Sequence, residues 1–250
     1  MSKYFLAFFI FCFISPPLWG QKSAAADFTI SPVRIFFDNR TQTAILTITN
    51  ESAEDLTLQL KTFSWQQDET GKDVYSPTED IIFFPKIFKI QGGEEKIVRL
   101  GTKIPPARHE KTYRLYLEEI PAAQADGAAV VRILMKIGVP IFIKPLEEEI
   151  KGSLVRAELQ NGTLALTVNN EGNIHFVIRK ISVTGKNYAG KEVFTTETGG
   201  GYLHGNVSKG FEIKMPADAC PDAATLEINI DTDRHSIDDE INISKEMCRP

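Results

Sequence analysis

Residues Asn161–Val168 read NGTLALTV, a turn dipeptide followed by alternation of small or polar side chains with larger apolar ones. Asn-Gly is a strong hairpin signal because both central positions of a tight two-residue turn need a positive φ. Alternation with a period of two places every second side chain on the same face, which is typical of a half-buried β-strand. The stretch therefore predicts a β-hairpin in the C-terminal half of the chain.

Short alternating runs of the same kind recur along most of the sequence, separated by turn residues. They include Thr43–Asn50, Leu56–Leu60, Lys96–Leu100, Tyr113–Leu117 and Thr225–Ile230. Helical spacing is hard to find, so the pattern predicts an all-β protein built from sandwiches. The length of 250 residues suits two such domains. We place the boundary after Pro145, which gives domains over 27–145 and 146–250.

The first 26 residues have the features of a secretory signal peptide. Lys3 precedes an unbroken apolar run, Tyr4–Ile14, and small residues follow at Ala24–Ala26. An uncleaved membrane anchor is the alternative, but the run is short and Pro16-Pro17 breaks it. Export also bears on the cysteines that remain after cleavage, Cys220 and Cys248, because a pair in an oxidising compartment predicts one disulfide.

The composition argues against several classes of function. A formal net charge of -5 disfavours a protein that mainly binds nucleic acid. Gly185–Lys191 (GKNYAGK) has the spacing of a phosphate loop, but Glu192 replaces the magnesium-binding hydroxyl residue and a strand follows. We therefore predict a hairpin turn there and no nucleotide site. The four histidines have no metal-ligand spacing and no nucleophile motif occurs, so we predict no catalytic residue, no metal and no cofactor.

One segment, Val130–Ile143 (VVRILMKIGVPIFI), is longer than an average strand. Its first part carries two rows of side chains on opposite faces. One row is apolar and consists of Val131, Ile133, Met135 and Ile137, whereas the other consists of Arg132, Leu134 and Lys136. The apolar row either faces the core of the first sandwich or is available to a partner. The residues alone favour the first interpretation, since core strands are far commoner.

Landmarks in the first half resemble those of the PapD-like periplasmic pilus chaperones, in the same order and at similar spacing. They are Ile30–Arg34, Thr47–Asn50, Phe84-Pro85, Gly92–Leu100, Tyr113–Leu115, Glu119–Pro121 and Pro140–Pro145. The resemblance implies two immunoglobulin-like sandwiches set at an angle with a cleft between them. It also implies a periplasmic binding protein, not an enzyme, whose partners are pilin or fimbrial subunits and an outer-membrane usher.

The resemblance also implies a mechanism and a set of site residues. The strand over Val130–Ile143 would be lent to an incomplete subunit by donor-strand complementation, with the apolar row entering the subunit's core. Arg34 would bind the subunit's C-terminal carboxylate. The family's partner lysine would fall at Pro140, so Lys136, Arg114 and Arg132 remain the candidates for the second cation.

Two further interpretations stay open at this point. The chain could be an exported adhesion or binding module of two sandwiches, with the acidic loop Asp231–Glu240 at its binding end. The free protein could also associate with itself through its spare strand. The exposure of Ile133 and Met135 separates the chaperone from the adhesion module, because side chains sealed in the first core could not be lent.

Overall fold

The computed structural model describes residues 27–121 and 133–249, and these residues fold almost entirely into β-strands. One 3₁₀ helix, Cys220–Asp222, lies in the second half. The predicted all-β class is confirmed. Within 27–121 and 133–249, no helix has the length and apolar character needed to cross a membrane.

The first half of the described chain contains strands β1 to β10. They are β1 (Phe28–Ser31), β2 (Ile35–Phe37), β3 (Thr43–Asn50), β4 (Leu56–Gln67), β5 (Asp73–Pro77), β6 (Ile81–Phe84), β7 (Ile87–Ile90), β8 (Glu95–Thr102), β9 (Lys111–Glu119) and β10 (Lys136–Ile143). One sheet has the order β1-β3-β8-β6, and the other has the order β2-β10-β9-β4-β5, with β7 beside the start of β4. The two sheets enclose a core that includes Phe37, Leu46, Leu58, Leu115 and Ile141, all fully buried.

The second half forms another two-sheet sandwich. Its strands are β11 (Gly152–Gln160), β12 (Thr163–Asn170), β13 (Phe176–Lys186), β14 (Glu192–Thr198), β15 (Gly201–Leu203), β16 (Val207–Lys214), β17 (Thr225–Thr232) and β18 (Ser236–Asn242). One sheet is ordered β11-β12-β16 and the other β14-β13-β17-β18, with β15 beside the start of β13. Residues 144–151, where the sequence predicts the domain boundary, contain no strand.

The hairpin predicted from NGTLALTV is confirmed. Strands β11 and β12 pair across Asn161 and Gly162, whose φ angles are 50° and 71°. In β12 the apolar side chains at Leu164, Leu166 and Val168 are buried, while the residues between them are half-buried. The alternation seen in the sequence is therefore the alternation between core and outer face.

The predicted disulfide is also present, between Cys220 and Cys248. Both cysteines are buried in the second core, beside Leu226 and Ile243. The bond joins the 3₁₀ helix to the end of the chain, which also reaches the Asn-Gly turn through the Gly162 N–H and the Met247 carbonyl, 2.8 Å apart. The C-terminal segment is thus fastened to the second sandwich at two points. The GKNYAGK segment forms a turn between β13 and β14, as predicted.

The strand predicted over Val130–Ile143 is shorter in the structure. β10 begins at Lys136, Ile133 forms an isolated bridge, and residues 122–132 lie outside the described residues. The cause is the end of the neighbouring strand. The last contact of β9 with this segment is made by the Glu119 N–H, which donates to the Met135 carbonyl at 2.9 Å. β9 ends at Glu119.

Candidate functional site

One edge of β10 is paired along its whole length, and the other is paired only at its C-terminal end. β9 lies antiparallel to β10 from Lys136 to Ile143. On the opposite edge, the only strand of the described chain that pairs with β10 is β2, which is parallel and covers Ile141–Ile143. Within the part of the chain that the structure describes, residues 136–140 therefore present a free strand edge, of the kind that can accept another strand.

The direction of the backbone groups determines what this edge offers. The Met135 carbonyl points to β9, because it accepts from Glu119. In an antiparallel pair the polar groups of successive residues alternate between the two edges. The N–H and C=O groups of Leu134, Lys136 and Gly138 therefore face the free edge. Pro140, which has no N–H, occupies the next position of that set, so its presence removes no hydrogen bond to β9.

The apolar row continues the core face of β10 beyond the end of the core. Val139, Ile141 and Ile143 are buried in the first sandwich. On the same face, Ile133 is 55% exposed, and Met135 and Ile137 are half-buried. Val131, the fourth member of the predicted row, lies outside the described residues. The observed exposure is the one that a strand available to a partner requires.

The face of β9 and β10 opposite to the core lines the cleft between the two sandwiches. Phe142 of β10 is fully buried and stacks on His175 of the second sandwich, with ring centroids 3.9 Å apart. Aromatic rings from both sandwiches continue this wall. They are Phe63, Trp65, Tyr75 and Tyr116 of the first and Tyr202 of the second. The cleft therefore has an apolar wall on which charged groups are poorly hydrated.

Arg114 of β9 lies in the middle of this wall. Its Cζ is 3.9 Å from the centroid of the Trp65 ring and 5.5 Å from that of Tyr202. Its Nη1 donates to the Gly138 carbonyl at 3.3 Å, and its buried Nε has no hydrogen-bond partner among the described residues. Cation–π contacts thus hold the guanidinium in place while leaving donors unused.

Arg34 reaches the same aromatic ring from the far side of β10, in the same sheet. It precedes β2 and is exposed, and its Cζ lies 5.5 Å from the Tyr202 centroid. Among the described residues, neither Arg34 nor Arg114 has a carboxylate oxygen within 4.0 Å. Burial raises the pKa of Tyr202, and the two positive charges partly oppose that rise. The structure therefore brings together two of the predicted anchor residues, both without a neutralising acid.

Lys136 differs from the two arginines because it already has a carboxylate partner. Its Nζ lies 2.8 Å from Glu118 of β9, and Lys61 of β4 lies at the same distance from that carboxylate. These two lysines lower the pKa of Glu118, while Glu118 raises the pKa of Lys136. A second carboxylate at Lys136 would therefore compete with Glu118 for this lysine. Arg132, the remaining candidate, lies outside the described residues.

The two sandwiches are joined by hydrogen bonds behind the cleft. The Gln67 side chain accepts from the His204 N–H at 2.9 Å and donates to the Tyr202 carbonyl at 3.0 Å. The Glu110 carboxylate accepts from the His175 N–H at 3.0 Å and lies 2.7 Å from its ring nitrogen Nδ1. The side chains of Glu110 and His175 are almost completely buried. These contacts fix Tyr202 relative to Arg114, and therefore fix the geometry of the cleft.

A second histidine is buried at the same junction. His204 packs edge-to-face on Trp65, with centroids 4.3 Å apart, and its Nε2 has no hydrogen-bond partner among the described residues. Burial lowers the pKa of His204 to about 4, and the nearby charges of His175 and Arg114 add to this effect. The ring is therefore neutral near pH 7 and packs as an aromatic group.

Sequence reasoning missed three residues that shape the site. Trp65 supports Arg114, Tyr202 faces both arginines, and Glu118 neutralises Lys136. Glu118 could have been found, because pairing of the strands over Tyr113–Leu117 and Val130–Ile143 can place it opposite Lys136. Trp65 and Tyr202 come from strands far apart in sequence, and no local pattern distinguishes them from core aromatics.

Comparison with known proteins agrees with this architecture. Residues 27–148 match the family of pili and flagellar-assembly chaperones, PapD N-terminal domain. The chaperone protein LpfB of Salmonella typhimurium is 26% identical over 132 residues, which cover 51% of this chain and 54% of LpfB. The chain thus spans about half the length of this curated relative.

Solved structures resemble both sandwiches together. A chain of the chaperone–tip adhesion subunit complex CsuC–CsuE of Acinetobacter baumannii is 22% identical with a TM-score of 0.57, over 85% of this chain and 98% of that chain. A chain from the complex of the SafA pilin with the SafB chaperone of Salmonella enterica is 17% identical with a TM-score of 0.55, over 88% and 98%. These likenesses show a shared fold.

The protein is therefore made of two immunoglobulin-like β-sandwiches with a cleft between them, the architecture of the solved pilus chaperones. Its N-terminal half is similar to the PapD N-terminal domain of pili and flagellar-assembly chaperones, whose family model matches residues 27–148. The resemblance to the PapD-like pilus chaperones that the sequence indicates is confirmed.

Proposed function

We propose that this protein is a periplasmic chaperone that binds pilin-like subunits by donor-strand complementation and delivers them to an outer-membrane usher. The observation that carries the proposal is the combination of two features on one strand. Residues 136–140 have no strand partner on one edge among the described residues, and the segment from Ile133 to Ile137 exposes apolar side chains that continue the core face. A strand whose only task was to close the first sandwich would need neither.

The backbone of the free edge defines how a client strand pairs. The client's edge strand hydrogen-bonds to Leu134, Lys136 and Gly138, and Ile133, Met135 and Ile137 enter the opening of the client's core. Burial of each such side chain contributes roughly 1.5–3 kcal/mol before the cost of ordering the partner. Covering the client's unpaired edge also prevents its aggregation.

The cleft supplies a binding site for the client's C-terminal carboxylate. Arg34 and Arg114 are the pair that we assign to it, because both lie against Tyr202 and neither is neutralised by a described acid. A guanidinium can bind a carboxylate through two parallel hydrogen bonds, which fixes the register of the bound chain as well as adding affinity. Lys136 is the weaker candidate because it is already paired with Glu118.

Two features favour the periplasm as the site of action. The first 26 residues have the order of a signal peptide, although they lie outside the described residues. The Cys220–Cys248 disulfide suits an oxidising compartment. Binding at the edge of β10 needs no nucleotide, which agrees with the hairpin turn formed by GKNYAGK.

The decisive experiment compares Ile133→Asp with Ile87→Asp. Both isoleucines are exposed to the same extent, 55% and 56%, but Ile87 lies on β7 and not on the donor strand. Each variant is co-expressed in the periplasm with a pilin-like subunit encoded next to it, and the complex is isolated by affinity purification. Only Ile133→Asp should lose the complex, because a carboxylate cannot enter an apolar core without a large desolvation cost.

Amide exchange of the wild-type complex provides a second measurement. Leu134, Lys136 and Gly138 should gain protection when the subunit binds, since their N–H groups face the free edge. Equal yields of complex from the two variants, together with unchanged exchange at these amides, would contradict donor-strand complementation and favour a two-sandwich adhesion module.

A further inference from the structure

The carboxylate of Glu119 contacts the backbone of the proposed donor strand. Its Oε2 accepts a hydrogen bond from the Met135 N–H at 3.1 Å, and its own N–H donates to the Met135 carbonyl at 2.9 Å. In a regular antiparallel pair the Met135 N–H would bond to a backbone carbonyl. Here a side chain accepts that bond, at the point where the ladder between β9 and β10 ends.

The contact between Glu119 and Met135 lies at the last residue pair that joins β9 to the donor strand. β9 ends at Glu119, and among the described residues no backbone hydrogen bond joins it to the segment before Met135. Ile133 and Leu134 therefore extend past the last backbone rung that β9 provides, and both are exposed. Apart from the isolated bridge at Ile133, little offsets the conformational entropy that this segment loses on ordering, so an anchor close to its end stabilises it.

We infer that Glu119 is a positioning residue that holds the donor strand in the orientation in which a client pairs with it; this inference rests on the proposed function. With both polar groups of Met135 directed to β9, the polar groups of Leu134 face the free edge, as they must to pair with a client strand. A carboxylate accepting from an N–H forms a charge-assisted bond, stronger than one between neutral groups.

The neighbouring residue assists on the opposite face. Glu118 binds the side chain of Lys136, whose Nζ also lies 4.5 Å from the Tyr116 ring centroid. Two consecutive acidic residues of β9 thus hold two consecutive residues of the donor strand, one through its backbone and one through its side chain. Of these two side-chain contacts only that of Glu119 acts on the backbone, where it adds to the bond between the Glu119 N–H and the Met135 carbonyl in directing both polar groups of Met135 to β9.

The test measures amide exchange at Met135 in the client-free protein, for wild type and for Glu119→Ala, Glu119→Gln and Glu54→Ala. Glu119→Ala removes the acceptor, and exchange at Met135 should accelerate about tenfold. Glu119→Gln keeps an oxygen acceptor at the same position and should restore most of the protection. Glu54 is an exposed acid in the turn between β3 and β4, and its substitution should change nothing.

Client affinity is then measured for the same four proteins. Glu119→Ala should weaken the complex about tenfold, with partial recovery in Glu119→Gln. Unchanged Met135 exchange in Glu119→Ala, or accelerated exchange with unchanged affinity, would overturn the inference. If wild type binds no subunit at all, the proposed function fails, whereas the exchange comparison in the free protein still decides whether Glu119 holds the strand.

Discussion

The guanidinium of Arg114 lies over the indole of Trp65, with its Cζ 3.9 Å from the ring centroid. Trp65 is 1% exposed, so the ring that supports the cation is itself immobilised by packing. On the other side of Arg114, Tyr202 belongs to the second sandwich and lies 5.5 Å from the same Cζ. The cation is thus fixed between the two sandwiches by aromatic contacts, and its charge remains available to a ligand.

We expect both Arg34→Ala and Arg114→Ala to weaken client binding at least tenfold, because each removes a charge-assisted hydrogen bond to the terminal carboxylate (roughly 1.5–3 kcal/mol). Their effects on stability should differ. Arg34 is exposed, so its variant should melt near the wild-type temperature. Arg114→Ala also loses its contacts with Trp65 and should melt about 2–4 °C lower. Isothermal titration and thermal melting measure the two effects.

Arg99→Ala serves as the control for these variants, since Arg99 is an exposed arginine on the other sheet of the first sandwich. A client peptide ending in a carboxamide gives an independent measurement. The affinity of the carboxamide peptide for wild type should equal that of the peptide with a free carboxylate for the arginine variants. In the arginine variants, changing the carboxylate to a carboxamide should not lower the affinity further. Additive losses would mean that the arginines do not bind the carboxylate.

Gly138 gives a second prediction, because its lack of a side chain makes room for the cleft wall. A Cβ at this position would lie 3.0 Å from Cε1 of Tyr116 and 3.7 Å from Cδ of Arg114. Gly138→Val should therefore displace Tyr116 and Arg114 and weaken client binding several-fold. Gly210→Val is the matched control, since Gly210 is also in a strand and a Cβ there meets only the Leu166 carbonyl, at 3.9 Å. Equal affinities of the two variants would contradict the prediction.

Elements that depend on neighbouring residues could be predicted from the sequence. The Asn-Gly turn is local, and its two positive φ angles follow from the two residue types. The alternation in TLALTV is likewise local, and it correctly placed Leu164, Leu166 and Val168 in the core. The disulfide followed from there being only two cysteines in the exported part of the chain.

The length of β10 and the composition of the cleft could not be predicted in the same way, because both depend on partners distant in sequence. The apolar pattern of Val130–Ile143 continues past the end of β9 at Glu119, so the pattern alone overestimates the paired strand. The exposure of Ile133 has the same origin. Lys136 faces the cleft as expected, but the register that places it opposite Glu118 also neutralises it.

The disulfide leads to a third prediction, on stability. Replacing both cysteines, Cys220→Ala with Cys248→Ala, should lower the unfolding free energy of the second sandwich by roughly 3 kcal/mol, because a link across 28 residues no longer restricts the unfolded chain. Urea denaturation measures the change. Reduced wild type should match the double variant, and the double variant should not respond to reductant. Client binding well below the denaturation midpoint should persist, since the donor strand and both arginines lie outside this sandwich.

The last prediction concerns pH and His204. Its pKa is about 4 in the folded protein against a reference of 6.5, because burial against Trp65 disfavours the charged ring. As pH falls below 6.5 the unfolded chain binds a proton before the folded one does, so stability decreases until about pH 4 and levels off below it. The loss of unfolding free energy that His204 causes is on the order of 3 kcal/mol.

His204→Phe keeps an aromatic ring beside Trp65 and should flatten the dependence of unfolding free energy on pH in this range. His109→Phe, at an exposed histidine, should retain the wild-type slope. If the two variants show the same slope in urea denaturation between pH 4 and 6.5, the buried ring is not the group that titrates.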